Sequence, residues 1–205
     1  MKSPPAVLVL GAGRGSRYLG PRHKLAETLG AESVLSQTVR QAVASGLPVV
    51  VVTTPAFAEE AAQQVARRDV VVLGTSQAGA PGGMGDSIAA GVAARPGASG
   101  WLMLPADMPL VRPATIRALA DCLRQHSLAY VQHQGRRGHP VAFGAELFSD
   151  LVRLTGDDGA RRVLARFPAH ALEVDDPGVL IDVDTEADLE RLRAEWELST
   201  GLATG

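Results

Sequence analysis

A lone cysteine, Cys122, cannot form an internal disulfide, so no covalent staple holds this chain, and its composition suits a reducing, cytoplasmic compartment. Aromatic residues are scarce at 4%, and the formal net charge is only -2. Without a broad cationic field, binding to nucleic acid is disfavoured, and any positive charge that matters must be local. Long apolar runs are also missing. The first run, Ala6 to Leu10, is too short for a signal peptide or a membrane span, so no membrane partner is expected. Lysine is nearly absent: Lys2 and Lys24 are the only ones among 20 basic residues, which leaves Lys24 alone in the chain interior.

What is present suffices for one domain. The 205 residues are 46% hydrophobic and 20% charged, enough to bury a substantial core over residues 1–198, and 199–205 read as a frayed tail. Short apolar runs alternate with segments of helical period, the pattern of βαβ units around a mainly parallel sheet. Strands are expected at Val7 to Leu10, Val49 to Val52, Val70 to Leu73 and Trp101 to Leu104. Leu35, Val39, Ala42 and Val43 share one helix face, as do Ile116, Leu119 and Leu123 after Pro113. Cys122 falls in the second of these helices and is expected on its buried side. A last helix opens at Thr185 with Asp188 three residues on, and presents Leu189, Leu192 and Trp196 to the core. The Gly/Ala-rich stretch from Gly74 to Gly85 is long enough for a mobile loop that admits substrate.

After the first strand comes Gly11-Ala12-Gly13-Arg14-Gly15-Ser16-Arg17, then Gly20 and Lys24. Glycines at a strand-to-helix turn let backbone N–H groups reach phosphate oxygens. A dinucleotide fingerprint needs G-x-G-x-x-G, and here Ser16 stands at the third glycine position. A Walker A loop needs Gly-Lys-Ser/Thr, and Pro21 and Arg22 follow Gly20. What remains is a glycine turn with two cations: Arg17 can grip phosphate in a fork, and Lys24 is a point charge for a leaving group. The alternative is a tight surface turn with solvated charges.

Further along, the strand Trp101 to Leu104 runs into Pro105-Ala106-Asp107-Met108-Pro109, which puts a carboxylate at the sheet edge where ligands of open α/β sheets gather. Asp107 there suits magnesium or, equally, caps a turn before proline. Ser87 or Asp86 can cap the helix after Gly83-Met84-Gly85. His139, in Gly135-Arg136-Arg137-Gly138-His139-Pro140, reads as a loop histidine, the stretch being too basic and glycine-rich for a buried strand. Asp157 and Asp158 can cap the helix bearing Arg161, whose guanidinium suits an anion. Asp182 and Asp184 stand two apart before the final helix; dipole capping explains one of them.

Together, Leu10 to Arg17 with Lys24, Asp107-Met108-Pro109, Gly138-His139-Pro140, Gly156-Asp157-Asp158-Gly159-Ala160-Arg161 and Asp182-Val183-Asp184-Thr185 resemble the motifs of MobA-like nucleotidyltransferases, closest to the molybdenum cofactor cytidylyltransferase branch. The matching motifs run from residue 7 to about 192. Three departures stand out: Gly11 replaces a usual Ala, Tyr18 a usual Met or Phe, and the spacer before Lys24 is longer. The resemblance implies an α/β fold, a single-domain Rossmann-like three-layer sandwich of the nucleotide-diphospho-sugar transferase type. It implies that Arg17, Lys24 and Asp107 are catalytic, and that Leu10, Gly11, Ala12, Gly13, Arg14, Gly15, Ser16, Arg17, Lys24, Ser87 and Asp107 bind the nucleotide. His139, Pro140, Asp157 and Arg161 would face the acceptor, and Asp107, Asp182 and Asp184 would hold magnesium. The implied reaction transfers CMP from CTP to molybdopterin or its metal-loaded form and releases pyrophosphate, with a molybdoenzyme or cofactor chaperone as protein partner. Ala12, where the guanylyl branch has Gly, favours CTP. Alternatives are a GTP-dependent guanylyltransferase, a sugar-phosphate or isoprenoid-precursor nucleotidyltransferase, and a non-catalytic nucleotide- or cofactor-binding chaperone module.

Overall fold

The structure, a computed structural model, describes residues 3–13, 18, 20, 22–74 and 82–200. In chain order the strands are β1 (Ala6–Leu10), β2 (Thr28–Leu29), β3 (Glu32–Ser33), β4 (Val49–Thr53), β5 (Val70–Val72), β6 (Gly100–Pro105), β7 (Leu128–His133), β8 (Arg136–Gly144) and β9 (His170–Glu173). The helices are α1 (Val34–Ala44), α2 (Ala58–Ala62), α3 (Met84–Ala94), α4 (Pro113–Cys122), α5 (Phe148–Leu151), α6 (Arg161–Arg166) and α7 (Glu186–Thr200).

Seven strands form one sheet in the order β5-β4-β1-β6-β8-β7-β9, and β2 and β3 form a small separate hairpin. β1 pairs in parallel with both β4 and β6, so the chain leaves β1 on one side and later returns on the other. Between the C-terminal ends of β1 and β6 lies the crevice in which open α/β sheets bind ligands. Only β8 runs against its neighbours, antiparallel to β6 and β7.

Alternate side chains of each central strand feed two cores. Val7, Val9, Val51, Leu102 and Leu104 pack against α1, α4 and α7, while Leu8, Val50, Val52, Trp101 and Met103 pack against α3, α5 and α6. Helices on both faces make three layers, as the unbroken valine run at 49–52 predicts for strands without a wet side. α1 buries Leu35, Val39 and Ala42, but Val43 is 42% exposed; its position on the helix turns it out of the apolar stripe. Cys122 ends α4 half-buried at the core margin, less enclosed than expected, and burial pushes its thiol pKa up. At the start of α7, Asp188 accepts from both the Thr185 N–H (2.8 Å) and its hydroxyl (2.7 Å), the capping box legible in the sequence. α7 runs through Thr200, and residues 201–205 lie outside the described residues.

The segment 135–144 is a correction. It is a nine-residue strand, with Arg136 and Arg137 at its exposed end and burial from Gly138 onward except at His139. A tight turn with positive φ at Gln134 (51°) and Gly135 (72°) closes the β7–β8 hairpin. Cations are tolerated here because that end of the strand opens onto the cleft. Of the glycine-rich stretch from Gly74 to Gly85, residues 75–81 lie outside the described residues, and Gly85 already belongs to α3.

Candidate active site

Leu10 ends β1 and Asp107 follows β6 by two residues, which brings both to the crevice. Backbone hydrogen bonds fix the junction: Gly11 N donates to Val52 O (2.7 Å) and Ala106 N to Leu10 O (3.1 Å). A Cβ on Gly11 would stand 3.1 Å from the Ala106 Cβ, a tight approach that favours glycine in this chain. Thr38, fully buried on α1, donates its hydroxyl to the Ala106 carbonyl (2.8 Å). The Asp107 carbonyl in turn accepts from Val183 N (3.2 Å), which ties the Asp182–Asp184 segment to the Asp107 turn.

Lys24 sits in a short 3-10 turn, Lys24–Ala26, capped by His23, whose Nδ1 accepts from Leu25 N (3.2 Å). Its Nζ lies 2.6 Å from Asp107 Oδ2 and 2.8 Å from Asp184 Oδ1. Burial pulls the Lys24 pKa down, but Asp107 and Asp184 together outweigh it and hold the ammonium above the ordinary lysine value. Asp182 lines the same cleft, and burial, then Asp107 and Asp184, raise its carboxyl above the usual range. Three carboxylates thus gather near Lys24, while Arg136, Arg137 and Arg161 also line the cleft. Asp107 Oδ1 is buried without a hydrogen-bond partner among the described residues, a costly arrangement for a carboxylate oxygen unless a donor or cation completes it. No three His, Cys, Asp or Glu side chains among the described residues converge tightly enough to hold a metal alone.

The cleft, about 620 Å³, is lined by Leu10, Gly11, Gly13, Lys24, Asp107, His139, Arg161, Asp182 and Asp184, among others. Nine positions singled out from the sequence therefore meet in one place. Ala12 is buried behind the turn, and Pro140 is buried in β8. Ser87 is 3% exposed, with its hydroxyl turned to the Gly83 carbonyl at 3.3 Å rather than into the cleft. Asp86, not Ser87, serves the helix start: its Oδ2 accepts from Gly83 N (2.8 Å) and from Gly156 N (3.1 Å). That second bond brings the Asp157–Arg161 loop over α3, where Asp157 and Arg161 line an adjoining chamber. Arg14, Gly15, Ser16 and Arg17 lie outside the described residues.

Sequence reasoning missed the supports. Asp176, 2% exposed, accepts from Arg112 N (2.9 Å), the Thr115 hydroxyl (2.6 Å) and Gly178 N (3.1 Å). It fastens the Pro177–Leu180 turn to the start of α4, just ahead of Asp182 and Asp184. The fit is close: a Cβ on Gly178 would meet the Leu110 carbonyl at 2.3 Å, and one on Gly138 the Val179 carbonyl at 2.2 Å. The available signal was Asp-Pro-Gly, which reads only as a turn. Replacing Asp176 by Ala strands three donors and is expected to cost about 3 kcal/mol in urea unfolding. Asp176→Asn, which keeps an acceptor, should lose less.

Burial lowers the pKa of His23, and the protein packed around the His139 ring lowers that of His139 although the residue keeps an exposed face; Lys24 adds to this at His23 and Arg137 at His139, while Asp107 opposes it at each. Groups whose folded pKa lies below the unfolded value bind more protons when unfolded, so stability falls as pH drops through the histidine range below about 6.5. Asp182, shifted upward, acts with the opposite sign in the lower, carboxylate range. Urea midpoints should therefore fall from pH 7 to 5.5, and the paired variant His23→Gln with His139→Gln should show a flatter profile.

A three-layer α/β sandwich thus gathers a cation and carboxylates at its switch point. The chain belongs to the family of the MobA-like NTP transferase domain, whose model matches residues 7–173, and it is a nucleotidyltransferase. It is 29% identical over 214 residues to purine catabolism protein PucB of Bacillus subtilis (strain 168), covering 94% of this chain and 98% of PucB. It is 38% identical over 117 residues to phosphoenolpyruvate guanylyltransferase of Nocardia farcinica (strain IFM 10152), covering 57% of this chain and 49% of that enzyme. Rv0371c of Mycobacterium tuberculosis H37Rv superposes with TM-score 0.81 at 29% identity, covering 95% and 99% of the two chains. The same mycobacterial protein in complex with manganese gives 0.75 at 29% identity, covering 95% of this chain and all of that one. A nucleotidyl transferase from Methanothermobacter thermautotroptrophicus, Mth528, gives 0.77 at 26% identity over 96% and 99% of the chains. No helix among the described residues is long and apolar enough to cross a membrane.

Proposed function

We propose that this enzyme transfers a nucleotidyl group, CMP from CTP, to the phosphate of molybdopterin or its metal-loaded form, and releases pyrophosphate. The observation that carries the reading is Lys24 held between Asp107 and Asp184 at the β1/β6 switch point, beside the glycine turn. Two features support a divalent cation: Asp107 Oδ1 is buried without a partner among the described residues, and the Asp182 carboxyl is crowded by two like charges. Asp107 and Asp182, with Asp184 beside them on Lys24, would hold it only together with phosphate oxygens, since the carboxylates do not converge into a metal site by themselves. The manganese complex of the mycobacterial relative supports a divalent ion. When bound, such an ion supplies charge neutralisation and alignment of the phosphates.

The residues of the chain do the rest. Glycine-turn N–H groups cradle the triphosphate, and Lys24, with Arg17, neutralises the leaving pyrophosphate. An acceptor phosphate is already ionised near neutral pH, so attack in line on the α-phosphorus depends on positioning and needs no strong base. His139 and Arg161, which line the same cleft, would meet the acceptor. Pro140, buried in β8, backs His139, and Asp157 borders the adjoining chamber.

Ala12 in the glycine turn supports CTP. The match to a guanylyltransferase over 117 residues favours GTP as the second reading. Pyrophosphate release measured with each of the four nucleoside triphosphates, magnesium and molybdopterin tests the choice. CTP should give the highest kcat/KM; a preference for GTP would transfer the assignment to the guanylyl reading.

A further inference from the structure

Ten positions separate Gly13 from His23 in the sequence, yet both line the cleft, with Gly11 and Lys24 beside them. His23 stands at the joint between the glycine turn and the turn that carries Lys24. Its Nδ1 accepts from Leu25 N (3.2 Å) and its backbone carbonyl from Ala26 N (2.8 Å), so one residue grips the Lys24–Ala26 turn through side chain and backbone alike. At the far end of that turn Glu27 N donates to the Lys24 carbonyl (3.3 Å), and Leu25 within it is buried in the core. The backbone of Lys24 is thereby fixed, and its ammonium reaches Asp107 and Asp184 from a set origin.

The His23 ring is itself braced. It tilts against Phe57, a core residue in the turn after β4, with centroids 5.0 Å apart and planes at 57°. A backbone N–H can only donate, so Nδ1 carries a lone pair and the proton of the neutral ring is on Nε2. An imidazolium has two donors and no acceptor, and would give up the bond from Leu25. Burial holds the His23 pKa down and Lys24 adds to this; the Gly13 backbone and Asp107 pull the other way, Gly13 as hydrogen-bond acceptor for the ring.

We infer that His23 is a positioning residue whose neutral ring, protonated on Nε2, ties the glycine turn at Gly13 to the turn that carries Lys24. The two segments that meet phosphate are then held in register by one side chain, which touches no reacting atom. The consequence for turnover rests on the nucleotidyl-transfer reading above; the hold on Lys24 does not.

The hold can be read directly, because Lys2 and Lys24 are the only lysines. In full-length protein labelled with 15N-lysine and carrying Lys2→Arg, the single Nζ signal belongs to Lys24, and its ammonium hydrogen exchange reports how firmly it is bound. His23→Phe keeps a ring against Phe57 but has no nitrogen, and should speed this exchange about fivefold, the scale of one lost hydrogen bond. His23→Asn offers Oδ1 to the same Leu25 N–H and is too short to span to Gly13, so exchange should stay near that of the unsubstituted protein. Pyrophosphate release from CTP then separates the two ties: His23→Asn should raise KM for CTP with little change in kcat, whereas His23→Phe should also lower kcat about tenfold through a misplaced lysine. Lys24 exchange unchanged in His23→Phe, or as fast in His23→Asn as in His23→Phe, overturns the inference. No turnover of CTP by the unsubstituted protein counts against the nucleotidyl-transfer reading, and the lysine exchange still decides the role of His23.

Discussion

Asp107→Asn is expected to leave a folded protein whose kcat for pyrophosphate release is lower by about a thousandfold, the scale of losing a preorganised electrostatic group in a transfer site. The substitution keeps the shape of the side chain and an oxygen for Lys24 but removes the charge that Oδ1 presents to the cleft. The Asp107 turn should persist, because its backbone is held by Thr38, by Leu10 and by Val183 rather than by the carboxylate. The unfolding midpoint should therefore change little, and Asp182 should titrate closer to an ordinary carboxylate once one of its two crowding neighbours is neutral. Retained activity in Asp107→Asn would remove Asp107 from the catalytic assignment.

The second large effect falls on Lys24. Lys24→Met should lower kcat by about a hundredfold or more, since the charge leaving with pyrophosphate loses its protein cation. It should also destabilise the protein by about 3 kcal/mol, because the Asp107 and Asp184 carboxylates, only 15% and 29% exposed, both lose the lysine's charge. Urea unfolding at pH 7 of the variant and the unsubstituted protein reads the loss. Lys24→Arg should rescue stability better than rate, as a planar fork does not reproduce a compact ammonium.

The parts of this fold legible in the sequence were those set by continuous local patterns. The valine run at 49–52 and the strand from Trp101 announced the buried parallel core, and Thr185 with Asp188 announced the start of α7. β8 was not legible. Arg136 and Arg137 look like loop residues until β7 is placed beside them, and the first positive-φ position of the turn that pairs these strands is Gln134, with only Gly135 after it to signal the turn. The site divides in the same way. Lys24 was conspicuous as the lone interior lysine, and Asp107 as a carboxylate at a strand end. Its partner choice was not: Lys24 bonds Asp107 and Asp184, while Asp182 lines the cleft apart from it, a matter of how the 182–184 segment lies on the Asp107 turn. Thr38 and Asp176 were hidden because each acts across more than sixty residues of chain, on a backbone group or hydroxyl that carries no sequence signature.

The same division separates chemistry from specificity. The groups proposed here to handle phosphate gather at the end of two adjacent parallel strands, β1 and β6. Those proposed to face the acceptor come from β8, α6 and the loop after Thr155, elements that come later in the chain. Relatives can therefore share the first set while differing in the second, which is consistent with a PucB and a guanylyltransferase both appearing among them.

The most direct test follows the nucleotidyl group itself. CTP labelled at the α-phosphate is incubated with the protein, magnesium and molybdopterin, and label and pyrophosphate are counted together. The account predicts that label appears on the acceptor in equal measure with pyrophosphate, only when acceptor is present, and hardly at all with Asp107→Asn. Tight binding of nucleotide with no movement of label, under conditions where the acceptor is also bound, would contradict it.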